Sequence, residues 1–303
     1  MKKRRLGNSD LNVTELGLGC MSIGTEEKAA RAIIETALEE GINYFDTADL
    51  YDLGENETIV GRALKDVREQ VIIATKVGNR LYQNREGWSW DPSKAYIKEQ
   101  VKESLKRLGT DYIDLYQLHG GTLDDPIDET IEAFEELKSE GFIRYYGISS
   151  IRPNVIREFA SKSSIVSVMM QYSILDRRPE EVALPLLHEH GISVVTRGPL
   201  AKGLLSDKML EKASEEGYQD YSLAELAGVL PLLKEKVASF RSLTEVALQY
   251  NLANPAIASV IAGASNPEQI RINARAVRSN PLISEEIAII KELTKANLYS
   301  NHR

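Results

Sequence analysis

The chain has 303 residues, 43% hydrophobic and 27% charged, a composition that excludes collagen-like, disordered and coiled-coil classes. Its net charge of −8, from 45 acidic against 37 basic side chains, opposes nucleic-acid backbones and anionic lipid, so neither is an expected partner. A single cysteine, Cys20, forbids an internal disulfide and suits a reducing compartment.

Met1-Lys-Lys-Arg-Arg5 carries the charge of a secretory leader, but no apolar stretch follows it, which predicts a cytoplasmic location. Lys3–Val13 reads as a hairpin. Short β-branched or aromatic runs then alternate with longer amphipathic ones. Glu15–Gly19, Ile42–Asp46, Val71–Lys76 and Tyr112–His119 predict four strands. The helices after them are expected at Glu27–Glu40, Glu57–Lys65, Ser93–Leu108 (Ser93 its cap) and Ile127–Glu140. Strands at Ile143–Ser149 and Ser167–Gln171 precede helices at Pro153–Ser161 and Pro179–His190. After a strand at Ser193–Arg197, Lys208–Phe240 reads as a long, partly helical loop, with a helix at Ser242–Asn254. Ser259–Ala262 and Pro267–Val277 complete the pattern. Gly41, Gly109, Gly141 and Gly191 each follow a predicted helix, as helix C-termini favour.

Strand–helix alternation implies parallel pairing, and eight units imply closure. The expected fold class is therefore α/β, a (β/α)8 TIM barrel with an N-terminal β-hairpin and extra C-terminal helices, with 1–303 as one domain. In such barrels chemistry collects where strands end at the C-terminal mouth. The second, third and fourth runs end in Asp46, Lys76 and His119, and Tyr51 lies five residues past Asp46. A lone strand-end Asp, Lys or His is usually a solvated or structural residue. Three on successive strands call for a functional explanation.

These residues carry a resemblance. Gly41-Ile-Asn-Tyr-Phe-Asp-Thr-Ala-Asp-Leu-Tyr51, Ile73-Ala-Thr-Lys76, Leu108-Gly-Thr-Asp-Tyr-Ile-Asp-Leu-Tyr-Gln-Leu-His119 and Gly263-Ala-Ser265 resemble the aldo-keto reductases, bacterial members most of all. The resemblance covers nearly the whole chain. It implies NADP(H) as cofactor, a small-molecule carbonyl substrate and a catalytic tetrad of Asp46, Tyr51, Lys76 and His119, with Tyr51 as the proton donor. A phenol titrates near 10. A neighbouring ammonium, Lys76, is expected to make Tyr51 more acidic, Asp46 to hold that ammonium, and His119 to donate to the carbonyl oxygen.

The same resemblance places the cofactor on Gly19, Met21, Asp46, Ser149, Gln171 and Arg197. It continues through the loop residues Gly198, Pro199, Leu200, Ala201, Gly203 and Lys208 to Gly263, Ser265, Gln269 and Asn273. Several positions depart from the pattern. Met169 stands where members carry a glutamine, and Gln171, on the same strand face, is expected to replace it. Arg197 replaces an aromatic that stacks on the nicotinamide; a guanidinium also stacks, and would favour the neutral reduced ring over the cationic oxidised one. Ile272 replaces a glutamate, while Ser265, the helix start at Pro267 and Arg271 still offer an anion site. Met21, Tyr51, Tyr82, Trp88, Trp90 and His119 are the expected substrate pocket.

Rival readings are weaker. Gly17-Leu-Gly19 echoes a dinucleotide-binding glycine loop, but the third glycine is displaced to Gly24. His188 and His190, two apart on a helix, face differently, and no metal site is expected. Cys20 reads as a small packed residue. The altered nicotinamide contacts leave one alternative, a cofactor-binding regulatory protein with little turnover.

Overall fold

The computed structural model describes residues 1–82 and 87–303. β1 (Lys3–Arg5) pairs antiparallel with β2 (Asn12–Thr14), Lys3 opposite Thr14. Leu6, Leu11 and Val13 of this hairpin join Tyr44, Ile72, Leu115, Met169, Val195 and Ile261 in one buried cluster, so the hairpin plugs the bottom of the barrel. Gly7 turns it at φ +53, where a Cβ would stand 2.2 Å from the Val166 carbonyl oxygen.

The first three barrel units are β3 (Leu16–Gly19) with α1 (Glu27–Glu39), β4 (Tyr44–Asp46) with α2 (Glu55–Leu64), and β5 (Ile72–Val77). A second hairpin, β6 (Asn79–Leu81) against β7 (Trp88–Trp90), intervenes before α3 (Lys94–Leu108). Then come β8 (Ile113–Leu118), α4 (Ile127–Ser139), β9 (Ile143–Ser149), α5 (Pro153–Lys162), β10 (Ser167–Gln171) and α6 (Ala183–Glu189). β11 (Ser193–Arg197), α7 (Leu223–Val237), α8 (Leu243–Leu252), β12 (Ile257–Gly263), α9 (Pro267–Arg278) and α10 (Ser284–Leu293) complete the chain. Eight strands close in the order β10-β11-β12-β3-β4-β5-β8-β9, every neighbour parallel.

The expected strands and helices are present within a few residues of their ends. Ser93 caps α3 by accepting from the Tyr96 N–H, and Gly41, Gly109, Gly141 and Gly191 have φ of 71, 62, 83 and 65°. Two places differ. The β6–β7 hairpin was not foreseen, because two three-residue runs carry too little alternation to read. The segment 179–190 divides into a 3-10 turn, Arg178–Glu180, and a shorter α6. Proline lacks an N–H and is tolerated in a first turn, so Pro185 fixes the start of α6 near Ala183. The long loop after β11 is partly helical as expected: it contains α7, begun by a reciprocal cap in which Ser222 and Glu225 satisfy each other's backbone.

The main core lies between barrel and helices, and β5, α2 and α3 meet there around a buried charge. Glu57 is fully buried; it accepts from the Thr75 hydroxyl and from Arg107 Nε, both at 2.6 Å. This joint backs the loop that carries Tyr51. Among the described residues, no helix is long and apolar enough to cross a membrane.

Candidate active site

Alternation along β5 turns Ile72, Ala74 and Lys76 inward, and parallel register sets Asp46 and Lys76 on neighbouring strand ends. Lys76 Nζ donates to Asp46 Oδ1 at 2.6 Å, to the Thr47 carbonyl at 2.7 Å and to the Tyr51 hydroxyl at 3.3 Å. Gln117, opposite Lys76 on β8, donates to Asp46 Oδ2 at 3.3 Å. His119, just past β8, presents its ring edge-on to Tyr51 with centroids 6.1 Å apart. Its backbone N–H donates to the Val77 carbonyl at 2.8 Å, but among the described residues its buried Nδ1 has no partner. The three strand-end residues and Tyr51, expected to work together, thus share one place. Gln117 was missed; its signal was the step of two through Leu115, Gln117 and His119.

Electrostatics correct one expectation. Burial is the largest influence on Tyr51 and raises its pKa above the ordinary phenol value, although Lys76 pulls the other way. The ammonium's effect is divided, since Asp46, 2.6 Å from it, also disfavours a phenolate. Burial likewise opposes the charge on Lys76, but Asp46 and Tyr51 more than offset it and its pKa is raised. Burial, reinforced by Lys76 and Arg197, pushes His119 down to about 3, so its imidazole is neutral at physiological pH.

The loop between Asp46 and α2 is constrained. Asp52 and Leu53 adopt φ of 49 and 57°, followed by Gly54 at 91°, a left-handed run that turns the chain away once Tyr51 is placed. Asp49, two residues before Tyr51, is buried, its Oδ1 has no partner among the described residues, and its N–H donates to the Lys76 carbonyl at 3.4 Å. Burial, then the nearby Glu57 charge, push the Asp49 carboxyl from 3.8 to about 8. The unfolded chain releases that proton first, so the stabilising effect of the protonated form is complete below 3.8 and lost as pH rises to about 8. Asp49→Asn is therefore expected to raise the thermal midpoint at pH 8 and leave it unchanged near pH 4. The interval is worth at most about 1.4 kcal/mol per pH unit. Midpoints that shift equally at both pH values would remove the charge from the explanation.

The residues proposed for a dinucleotide line the other half of the mouth. Gly19, Ser149, Gln171, Arg197 and Gly263 end β3, β9, β10, β11 and β12. Arg197 is exposed, and its Nη1 donates to Gln171 Oε1 at 2.9 Å, while Gln171 Nε2 donates to Tyr218 at 3.3 Å. Among the described residues, Arg197, Lys202 and Lys208 have no carboxylate partner. Gly198 turns at φ +66 and is exposed, Gly203 and Leu200 are half-buried, and Pro199 and Ala201 are buried. At the start of α9, Gln269 Oε1 accepts from the Ser265 N–H at 2.8 Å, and Asn266 accepts from the Gln269 N–H at 3.0 Å. Asn273 is buried on α9.

Of the expected substrate contacts, Met21 and Trp88 are exposed and Tyr82 is half-buried. Trp90 is engaged, donating through Nε1 to Asp125 Oδ1 at 3.0 Å. Cys20 is fully buried beside the site, its thiol raised by burial and then by Asp46. The glycine-loop reading fails, because β3 runs into a 3-10 turn at Cys20–Ser22 within a closed barrel. A separate cavity of about 480 Å³ opens at the opposite end of the barrel beside Arg4 and Arg278. Arg4 is already spent there, on Glu15 and the carbonyls of Ile257 and Leu252.

A model of the aldo/keto reductase family matches residues 15–295. An uncharacterized oxidoreductase of Bacillus subtilis (strain 168), YqkF, is 61% identical over 307 residues, covering 100% of both chains. An NADH-specific methylglyoxal reductase of Escherichia coli (strain K12) is 33% identical, covering 98% of this chain and 99% of that one. Among solved structures, the holo form of aldo-keto reductase AKR11C1 from Bacillus halodurans superposes with a TM-score of 0.95 at 62% identity, covering 100% and 99% of the two chains. A match of this extent, over a barrel of this topology, identifies the chain as an oxidoreductase of the aldo/keto reductase family.

Proposed function

We propose that the protein reduces aldehydes and ketones to alcohols with NADPH, Tyr51 delivering the proton to the carbonyl oxygen. The observation that carries this reading is the Tyr51 hydroxyl 3.3 Å from the buried Lys76 ammonium, beside a neutral His119. The mouth suits a nicotinamide dinucleotide: Arg197, Lys202 and Lys208, without a carboxylate partner among the described residues, suit a pyrophosphate, and Ser265, Arg271 and the first turn of α9 suit a further phosphate. When bound, the dihydropyridine supplies the hydride.

The protein's own residues handle the proton. Burial keeps Tyr51 protonated through the neutral range, which is the form a donor needs. Lys76 favours the phenolate left behind, and Asp46 keeps that lysine charged. A buried ring nitrogen with no acceptor nearby is better left as a lone pair than as an N–H, so the His119 proton belongs on Nε2. From there it donates to the carbonyl oxygen as negative charge develops.

Steady-state NADPH oxidation with a panel of aromatic and aliphatic aldehydes tests the reading. Tight NADPH binding with no oxidation by any of them would favour the regulatory alternative. The Escherichia coli relative is named for NADH; here Ser265 and the exposed Arg271 support NADPH, and a kcat/KM ratio that favours NADH would overturn that choice.

Arg197 bears on the redox state of the ligand. Its charge reaches Asp46, Tyr51 and His119, and among the described residues no carboxylate lies within salt-bridge distance of it. NADPH is expected to bind more tightly than NADP⁺, and Arg197→Phe to shrink the difference. Equal dissociation constants for the two forms in the unaltered protein, by fluorescence titration, would remove this role.

A further inference from the structure

The β6–β7 hairpin ends in Trp90, and the structure fixes its indole from several sides. A Cβ on Gly78 would lie 2.5 Å from the ring's Cζ3, and one on Gly120 would lie 3.2 Å from Cη2. The six-membered ring therefore fills a slot that two glycines leave open. On its other edge Nε1 donates to Asp125 Oδ1 at 3.0 Å. That carboxylate also accepts from the Thr122 N–H at 2.7 Å and its hydroxyl at 3.0 Å, which fixes the loop after His119. The Asp91 N–H closes the joint on the Gly78 carbonyl at 2.8 Å.

Gly78 follows Val77, and Gly120 follows His119. Val77 and His119 are themselves joined, the His119 N–H donating to the Val77 carbonyl at 2.8 Å. One indole thus bears on two strand ends at the point where they deliver Lys76 and His119. This matters because the imidazole lacks the usual means of orientation. A functional histidine is ordinarily set by a hydrogen bond to its second nitrogen, but Nδ1 of His119 is buried without one among the described residues. Backbone preference does not hold the position either. Gly120 sits at φ +148, a region outside the favoured wells of residues with a Cβ. What remains is packing, and Trp90 supplies it at Gly120.

We propose that Trp90 is a positioning residue for His119, acting through Gly120 and Val77, and is not primarily a wall for substrate. The proposal rests on the reading of His119 as donor to the carbonyl oxygen.

Trp90→Ala and Trp90→Phe, made in the full chain, test it. Trp90→Ala is expected to lower kcat by about tenfold to a hundredfold, the scale on which a misplacement of about 1 Å acts. NADPH affinity should stay within about twofold, since binding and chemistry separate when an interaction serves the transition state. Trp90→Phe keeps a ring in the slot and should recover most of the kcat. In a His119→Ala background, Trp90→Ala should remove nothing further, as expected for residues that act through one another. A rise in KM at unchanged kcat would make Trp90 a substrate wall and overturn the proposal; an additive loss in the double variant would do the same.

A second readout needs no turnover. NMR titration of the histidines should find His119 neutral down to about pH 3 in the unaltered protein. Its titration should move upward in Trp90→Ala as the ring loses its fixed, dry seat. An unmoved titration overturns the positioning role. A shifted titration in a protein that reduces no carbonyl would leave that role standing and fail the functional reading instead.

Discussion

Tyr51→Phe is expected to lose about 10²- to 10⁴-fold in kcat, the range one general acid supplies, while binding NADPH within about twofold of the unaltered protein. The substitution keeps the ring and its edge-on packing against His119 and removes one oxygen. That oxygen sits 3.3 Å from Lys76 Nζ, which keeps its bonds to Asp46 and the Thr47 carbonyl, so no buried charge is stranded. The thermal midpoint should therefore barely move, separating a chemical loss from a structural one. A pH profile sharpens the test. Because burial raises the phenol, the unaltered enzyme should hold its activity through neutral pH and decline only in the alkaline range as Tyr51 ionises. The residual activity of the variant should lack that decline. Full turnover in Tyr51→Phe would end the assignment.

The barrel was legible because its strands announce themselves twice. Runs such as Val71-Ile-Ile-Ala-Thr-Lys76 are apolar on both faces, as strands between a packed interior and a helix layer must be, and glycines mark where helices stop. Asp46, Lys76 and His119 were legible for the same reason, as polar residues at the ends of apolar runs. Tyr51 was not placed by pattern alone, since it lies in a loop; its spacing to Asp46 within a family resemblance gave it. The β6–β7 hairpin was too short to read, and with it went the true setting of Trp90, which depends on glycines 12 residues before it and 30 after it. Nothing along the chain says that Asp49 and Glu57 lie together under the Tyr51 loop. The sign of the Tyr51 shift escaped for a related reason. Sequence names the charges near a group but not how deeply the group is buried, and here burial outweighs the neighbouring ammonium.

Asp46→Asn should be the most destabilising of these changes and should also remove most of the turnover. Lys76 is fully buried, and Asp46 is its only anionic partner within salt-bridge distance among the described residues. Stranding one member of a buried pair costs about 3–5 kcal/mol, and the thermal midpoint at pH 7 should fall accordingly. The lysine pKa, now raised because Asp46 and Tyr51 together offset burial, should fall once the carboxylate is gone. A folded-state lysine below its unfolded value binds fewer protons than the unfolded chain, so the variant should gain stability as pH rises toward 10. The unaltered lysine behaves oppositely: the stability its raised pKa contributes is complete below the unfolded value of 10.5 and fades only as pH rises through the raised folded value. Adding Lys76→Met then separates charge from chemistry. Replacing both members of a buried pair with neutral groups is often close to neutral in stability, so the double variant should recover much of the lost midpoint and none of the turnover. A double variant no more stable than Asp46→Asn would show that the loss lies in packing around the altered side chain and not in the stranded ammonium.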